Sequence, residues 1–166
     1  MIEALPNIDL KKLAIKEARP KPGVTGLFER MSAINKTKKG VVQMFNYDSV
    51  VNKTHLLGAY INAVTSFDDH SNKTKSLSME MLLFAAITDQ IGAAIKTMGA
   101  REKSKLVVFA NNKKSLEGIR DMLTDTKDFR PTVQHTRNAL MKFGIPTMKD
   151  ADRLLLQKMA TSRLKP

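Results

Sequence analysis

The fold of this chain depends first on residues 76–100, which read SLSMEMLLFAAITDQIGAAIKTMGA. Between Met79 and Ile87 every residue except Glu80 is apolar, so a helix at this position has no polar face. A helix of that kind belongs inside a protein core. Glu80 and Asp89 leave no run of about 18 apolar residues, so a membrane span is not expected. The stretch therefore predicts a buried central helix.

The pattern of apolar residues changes after Thr88, and a second helix is predicted from there to residue 98. Its apolar positions follow the spacing i, i+3, i+4 and i+7, which is one stripe of a half-buried amphipathic helix. They are Ile91, Ala94, Ile95 and Met98. Gly99 is predicted to end this helix in the left-handed conformation, which glycine adopts without a Cβ clash.

Strands are predicted on both sides of this region. The β-branched and aromatic content of residues 41–47 predicts one strand, and residues 105–110 form a second candidate. Residues 10–18 fit either a short helix or a strand, because the spacing of their apolar residues does not separate the two. Residues 19–23 and 124–131 are predicted to be loops, the first because of its prolines and glycine.

Further helices are predicted at residues 24–35, 52–67, 115–123 and 133–143. Asn52 is expected to cap the second of them. A last helix follows Thr147, which is expected to cap it together with Asp150, three positions on, as in a capping box. Strands interleaved with helices predict an α/β fold. We expect a single domain over residues 1–166, with a small β-sheet covered by several helices and a buried central helix.

The charge balance of the chain is strongly basic. It carries 28 lysines and arginines against 16 aspartates and glutamates, a net charge of +12. The excess lies in the flanks, since residues 41–100 hold 4 basic and 5 acidic side chains whereas residues 101–166 hold 15 and 7. A basic balance favours polyanions through counterion release, and the alternative is a solvated surface that maintains solubility.

The sequence contains no recognisable catalytic or metal-binding motif. Cysteine is absent, and none of His55, His70 and His135 has a second histidine three or four residues away to complete a helical metal site. No glycine-rich phosphate loop precedes a helix, and no serine or threonine lies in a nucleophile elbow. We therefore expect no catalytic residue, metal or cofactor. The first residues lack the apolar core of a signal peptide, so a cytoplasmic protein is expected.

Polar residues of the central stretch have two possible roles. Glu80 either caps backbone N–H groups in the first turn of its helix, or is a buried carboxylate with altered acidity that takes part in chemistry. An enzyme with a pocket around Glu80 is the least favoured class of function. Asp89 and Gln90 lie at the break between the two helices, where they either bind a ligand or cap the second helix.

Two pairs of basic residues lie near predicted helix N-termini. Lys73 and Lys75 precede the central helix, and Lys53 and His55 open the neighbouring one. Helix N-termini favour phosphates because of their free N–H groups and their dipole. If the two N-termini lie side by side, they form a small anion-binding corner. The alternative is that these are ordinary surface lysines at the ends of loops.

Several motifs occur in a fixed order ahead of residues 105–110. They are Val50-Val51-Asn52-Lys53-Thr54-His55-Leu56-Leu57, Ser76, Met79-Glu80-x-Leu82-Leu83, Gln90-Ile91, Ala94-Ile95 and Gly99-Ala100. In this order they resemble the PRPK-binding protein family, the small kinase-binding subunit of the KEOPS (EKC) complex. The resemblance extends over about residues 48–110. That family begins with a strand, so the resemblance favours a strand at residues 10–18.

The resemblance implies a non-catalytic subunit that binds an atypical protein kinase and, indirectly through that kinase, a threonylcarbamoyl transferase. The complex serves threonylcarbamoyl adenosine modification of tRNA, and the family's subunit captures tRNA, including its single-stranded 3′ end. Carried over by position, the tRNA-facing residues are Lys73, Lys75, Ser76, Met79, Glu80, Gln90 and Ile91. A stand-alone basic nucleic-acid-binding protein is the alternative.

The family's kinase docks at the C-terminal end of the chain, and the leucines there agree with this. Leu154, Leu155 and Leu156 cannot all face inward, because successive helical residues turn by about 100°. Surplus exposed apolar surface marks an interaction site. We therefore expect Leu155 at the apolar centre of the kinase contact, and Arg163 against an acidic group of the kinase. The residues expected at the edge of the contact are Met159, Ser162 and Arg163.

Two departures from the family pattern weaken these implied contacts. Asp89 stands where a basic residue is usual, which disfavours contact with RNA phosphates at the helix break. Residues 159–164 are more polar than the apolar run that usually ends the family's last helix, which disfavours the kinase contact.

Overall fold

The structure of the chain is a computed structural model that describes residues 8–37, 40–101 and 103–163. The strands in these ranges are β1 (Ala14–Pro20), β2 (Val42–Asn46), β3 (Leu106–Ala110) and β4 (Leu123–Asp128). The α-helices are α1 (Leu27–Asn35), α2 (Lys53–Asp68), α3 (Leu77–Ala86), α4 (Ile91–Met98), α5 (Lys113–Arg120), α6 (Val133–Met141) and α7 (Ala151–Thr161). Short 3-10 helices lie at Leu10–Lys12 and Tyr47–Ser49.

The strands form one antiparallel sheet in the order β2-β3-β1-β4. Side chains alternate between its faces, so β3 contributes Val107 and Phe109 to one face and Leu106 and Val108 to the other. Helices α2, α3 and α4 cover the first face, whereas α1 and α5 cover the second. The predicted α/β domain, with a small sheet covered by helices, is confirmed.

Helix α3 is the buried central helix that the sequence predicts, since Met81, Leu83 and Ala85 have no exposed surface. Ser76 caps its start and accepts a hydrogen bond from the Met79 N–H. Ile87, in the left-handed conformation with φ 56°, ends it. Helix α4 follows, bent by 72° from α3. In the described ranges no single helix is long and apolar enough to cross a membrane, and only this bent pair together meets that test.

Gly99 ends α4 for a different reason from the one predicted. Its φ of −63° and ψ of 138° are those of extended backbone, so the predicted left-handed cap is wrong. The Gly99 N–H still donates to the Ile95 carbonyl, at 2.9 Å. A Cβ at this position would collide with that carbonyl oxygen. The chain therefore needs a glycine here for a close approach of its own backbone.

The loop predicted at residues 124–131 is wrong, because most of it belongs to β4. That strand lies at the edge of the sheet, pairs with β1 alone, and turns alternate polar side chains towards solvent. A strand of this kind lacks the apolar content by which strands are recognised. For the same reason β1 runs two residues into the predicted loop, where Arg19 and Pro20 pair with Thr124 and Leu123.

The start of α7 also differs from its prediction. Asp150, with φ 54°, occupies the position before the helix, and its side chain makes no capping hydrogen bond. The backbone turns just before this residue, since the Ala151 N–H donates to the Met148 carbonyl. Thr147 therefore lies too far ahead of α7 to cap it, and the predicted capping box is wrong.

Helix α7 is covered on two sides. Leu155 packs with Ala139 and Leu140 of α6, and Met159 joins the core formed by α2 and α3. On α2, Gly58 leaves room for the partly buried Leu156, which a Cβ at residue 58 would strike. Leu155 and Met159 have no exposed surface. The prediction that Leu155 lies at the centre of an exposed apolar contact edged by Met159 is therefore wrong.

Candidate functional site

A single buried carboxylate organises the loop between α2 and α3. Glu80 has no exposed surface and accepts hydrogen bonds from the Thr74 N–H at 3.0 Å, the Thr74 hydroxyl at 2.9 Å and the Lys73 N–H at 3.2 Å. These donors belong to the preceding loop, so the predicted cap of the helix's own first turn is wrong. Because its oxygens face inward, the implied contact between Glu80 and tRNA is also wrong.

The partner of Glu80 comes from the far end of the chain. Arg163 follows α7, and its Nη2 lies 2.7 Å from Glu80 Oε1 in a buried ion pair. The guanidinium also lies over the ring of Phe84, 4.3 Å from its centroid. The acidic partner that was expected on the kinase is therefore found within the chain itself, and Ser162 likewise donates inward, to the Met159 carbonyl. No motif or spacing in the sequence predicts the pair of Glu80 and Arg163.

Four of the implied tRNA-facing residues gather at the N-terminal end of α3. Lys73 and Lys75 are exposed on the loop that Glu80 holds, and Ser76 and Met79, both partly buried, form the first turn of the helix. The result is a basic loop, residues 73–75, on a backbone that is fixed by hydrogen bonds. Such a loop can present two positive charges to a polyanion at a low cost in conformational entropy.

The other two implied residues lie at the opposite end of α3. Gln90 and Ile91 begin α4, and the ten residues of α3 place about 15 Å between the two groups. Both side chains are exposed, Ile91 at 48%. The Gln90 side chain makes no capping bond and instead donates to Asp89 Oδ1, at 3.1 Å. The capping role considered for Gln90 is therefore wrong.

The anion-binding corner considered for the N-termini of α2 and α3 does not form, because the two helices run antiparallel. His55, in the first turn of α2, contacts Ala85 at the end of α3, whereas Ser66 near the end of α2 contacts Glu80. The two N-termini therefore lie at opposite ends of the helix pair. Lys53 is engaged elsewhere, in an ion pair with Asp128 at 2.8 Å.

His55 has a structural role. Its Nδ1 accepts from the Val51 N–H at 3.1 Å, and Nε2 donates to the Ala85 carbonyl at 2.8 Å. Complete burial lowers the pKa of His55 from 6.5 to about 4, partly offset by the hydrogen bond to Ala85. The ring is therefore neutral at physiological pH. Within the described ranges no three histidine, cysteine or acidic side chains lie close enough to hold a metal ion.

Sequence reasoning missed an exposed apolar surface on α6. Val133 and Met141 are each 62% exposed, and Met148, in the segment that leads to α7, is 40% exposed. The first two stand at the two ends of α6, about 80° apart around its axis, with the exposed Arg137 between them, and we call the surface that they share the α6 face. A smaller apolar pair, Ile91 and Ile95, lies on α4. The sequence carried a signal for this surface, because Val133 and Met141 are apolar and do not belong to the buried stripe of α6.

A family model matches most of the chain. The model of the family described as kinase binding protein CGI-121 matches residues 26–161. This span includes every α-helix of the described ranges, and with them the α6 face and Glu80. Arg163, the partner of Glu80, lies two residues beyond it. No curated protein matches the chain.

Proposed function

The chain belongs to the kinase binding protein CGI-121 family, and from that premise we propose that it is the non-catalytic, kinase-binding subunit of a KEOPS complex. Its partner is then the atypical kinase of that complex, with the threonylcarbamoyl transferase reached indirectly through the kinase. In this role the protein works in the cytoplasm and binds tRNA during threonylcarbamoyl adenosine modification. The observation that carries the proposal is the family match over residues 26–161.

The proposed kinase contact is the α6 face rather than α7. An exposed apolar patch marks a site where a partner excludes water, whereas single exposed apolar residues are ordinary. Val133 and Met141, each 62% exposed, are the candidates for such a site in the C-terminal third of the chain. Leu155 and Met159 were first expected to make this contact. They are buried instead, and they pack α7 against α6 and the core.

Co-purification with the tagged kinase tests this assignment. A Val133→Glu/Met141→Glu variant should lose the kinase, because two charges would be desolvated without partners. An Ile91→Glu/Ile95→Glu variant is the matched control, since it makes the same change at half-exposed apolar residues of α4. Retention of the kinase by the α6 variant, with loss by the α4 variant, would move the contact to α4. Loss by neither would contradict both surfaces.

The proposed tRNA contact is the basic loop together with the start of α4. Lys73 and Lys75 are exposed, carry no ion pair within the described ranges, and stand on a fixed backbone. Gln90 and Ile91 supply an exposed polar and apolar pair at the far end of α3. An extended strand of RNA that spans about 15 Å would reach both groups.

A second candidate is a stand-alone nucleic-acid-binding protein, which the net charge of +12 favours. The two functions separate in a native co-purification followed by a salt wash. A subunit of the proposed kind retains the kinase at high salt, whereas a stand-alone basic protein retains only nucleic acid and releases it as salt rises.

A further inference from the structure

A cavity of about 580 Å³ opens at the end of the sheet that is remote from the basic loop. Its walls come from the 3-10 helix Leu10–Lys12 and the start of β1, from the first turns of α2, and from one side of α5. This volume lies within the range of roughly 300–1,000 Å³ that is typical of small-molecule sites. The first of these walls precedes residue 26 and so lies outside the span of the family match.

The walls of the cavity are positively charged. The basic residues that line it are Lys11, Lys12, Lys16, Lys53, Lys113 and Arg120. Its two carboxylates are already engaged, Glu117 by Arg120 at 2.9 Å and Asp128 by Lys53 at 2.8 Å. The hydrogen bond from Lys53 also lowers the pKa of Asp128, so this carboxyl group stays ionised and bound.

Two of the lysines lack a carboxylate partner among the described residues, namely Lys11 and Lys113. Lys113 is the first residue of α5 and Lys53 is the first residue of α2. The positive ends of two helix dipoles therefore add to the charge of the walls. An anion in this cavity would meet fixed dipoles and two cations that no carboxylate of the described residues neutralises.

The cavity also has an apolar lining. Leu57 of α2 and Leu116 of α5 line it, and Leu10 lines it while keeping 56% of its surface exposed. Leucines of this kind can pack on the face of a planar ring system. The cavity thus combines a cationic wall with an apolar surface, which suits a ligand that has both an anionic and an apolar or flat part.

We propose that this cavity binds a small organic phosphate of the size and chemistry of a nucleotide. The phosphates lie against Lys11 and Lys113, and the flat body packs on Leu10, Leu57 and Leu116. Binding covers the exposed side chain of Leu10. This site is separate from the α6 face and from the basic loop, so it is independent of the proposed kinase and tRNA contacts.

Calorimetric titration of the full chain, residues 1–166, with ATP tests the proposal, and saturable binding at low ionic strength is expected. A Lys11→Glu/Lys113→Glu variant should bind ATP about tenfold more weakly, because two charge-assisted contacts are lost. A Lys149→Glu/Lys158→Glu variant is the control: it changes the charge equally at exposed lysines that do not line the cavity, and its affinity should stay close to that of the wild type.

Two further titrations separate a built site from charge alone. Leu10→Ala should weaken ATP binding several-fold and leave the binding of inorganic triphosphate unchanged, since only the nucleotide has a body to pack on leucine. Equal loss in the two lysine variants, no saturable ATP binding by the wild type, or binding of single-stranded oligonucleotide without ATP would each overturn the proposal. None of these results bears on kinase binding, which is measured with the kinase itself.

Discussion

At the scale of single residues, Glu80 joins parts of the chain that are distant in sequence. Its carboxylate holds the backbone of residues 73–74 on one side and the guanidinium of Arg163 on the other. A buried charge of this kind is tolerated because every oxygen has partners. The position of the basic loop therefore depends on Arg163, which lies just beyond the end of the last helix.

Breaking the pair should be costly. Arg163→Met is expected to lower the free energy of unfolding by about 3 kcal/mol, because it leaves the Glu80 carboxylate buried without its cation. Arg153→Met, which removes an exposed arginine of α7 that is paired with Asp150 at 3.7 Å, should cost under about 1 kcal/mol. Urea unfolding of both variants gives the comparison. The double variant Arg163→Met/Glu80→Gln should be more stable than Arg163→Met alone, and equal or lower stability would contradict the role of the charge.

The neutral His55 predicts a dependence of stability on pH. The folded-state pKa of about 4 lies below the unfolded value of 6.5, so the unfolded chain binds a proton that the folded chain does not. Stability should therefore fall as pH drops from 6.5 to 4, by about 3 kcal/mol from this residue. Denaturant unfolding at several pH values measures the fall. His55→Gln should show a smaller fall over the same window, and an equal fall would assign the effect to other groups.

The basic loop predicts a change in the salt dependence of RNA binding. Lys73→Glu/Lys75→Glu should weaken tRNA binding and reduce the slope of log K against log salt by roughly 1.5, because two phosphate contacts are lost. Filter binding over a range of salt concentrations measures both quantities. Lys149→Glu/Lys158→Glu again serves as the control for net charge. If the two variants lose the same affinity and slope, the loop has no special role.

At the scale of elements, α7 is a core helix that the sequence presented as a surface helix. Leu155 has no exposed surface and packs against α6, so Leu155→Ala should cost about 2–5 kcal/mol through lost transfer energy and a cavity. Leu154 is only partly buried, and Leu154→Ala should cost clearly less. Thermal unfolding of the two variants decides the matter. Similar melting temperatures would mean that α7 does not pack in this register.

Elements with a strong apolar signal were predictable. Residues 76–100 became α3 and α4 with the break at Thr88, and residues 41–47 and 105–110 became β2 and β3. The misses at β4 and α7 share one physical cause, which is that the sequence of an element does not show which elements pack against it. The edge strand β4 looks like a loop because one side of it meets water, and α7 looks exposed because its two neighbours are unknown.

The site could be predicted only in its parts. Glu80 stood out as a carboxylate in an apolar helix, and the exposure of Lys73 and Lys75 followed from their polar loop. The link from Glu80 to Arg163 needs the tertiary fold, since Glu80 lies in α3, Arg163 follows α7, and no motif connects them. The direction of α2 against α3, which removed the anion-binding corner, is likewise a property of the packed pair.

At the scale of the whole molecule, the proposed contacts use different surfaces. The basic loop and the start of α4 flank α3, the α6 face lies beside α7, and the nucleotide-sized cavity lies at the end of the sheet near the start of β1. Separate surfaces allow a kinase and a tRNA to be held together without competition. The near-neutral middle of the chain supplies most of the core around α2 and α3, and the basic flanks carry the excess of positive charge.

Titration of the purified atypical KEOPS kinase into the full chain tests kinase binding most directly. Calorimetry should show saturable binding that persists at high salt, because the proposed contact on the α6 face is apolar and salt screens mainly exposed charges. Val133→Glu/Met141→Glu should abolish it without lowering the melting temperature. A wild-type chain that is fully folded and yet gives no saturable binding to the kinase would contradict its role as a kinase-binding subunit.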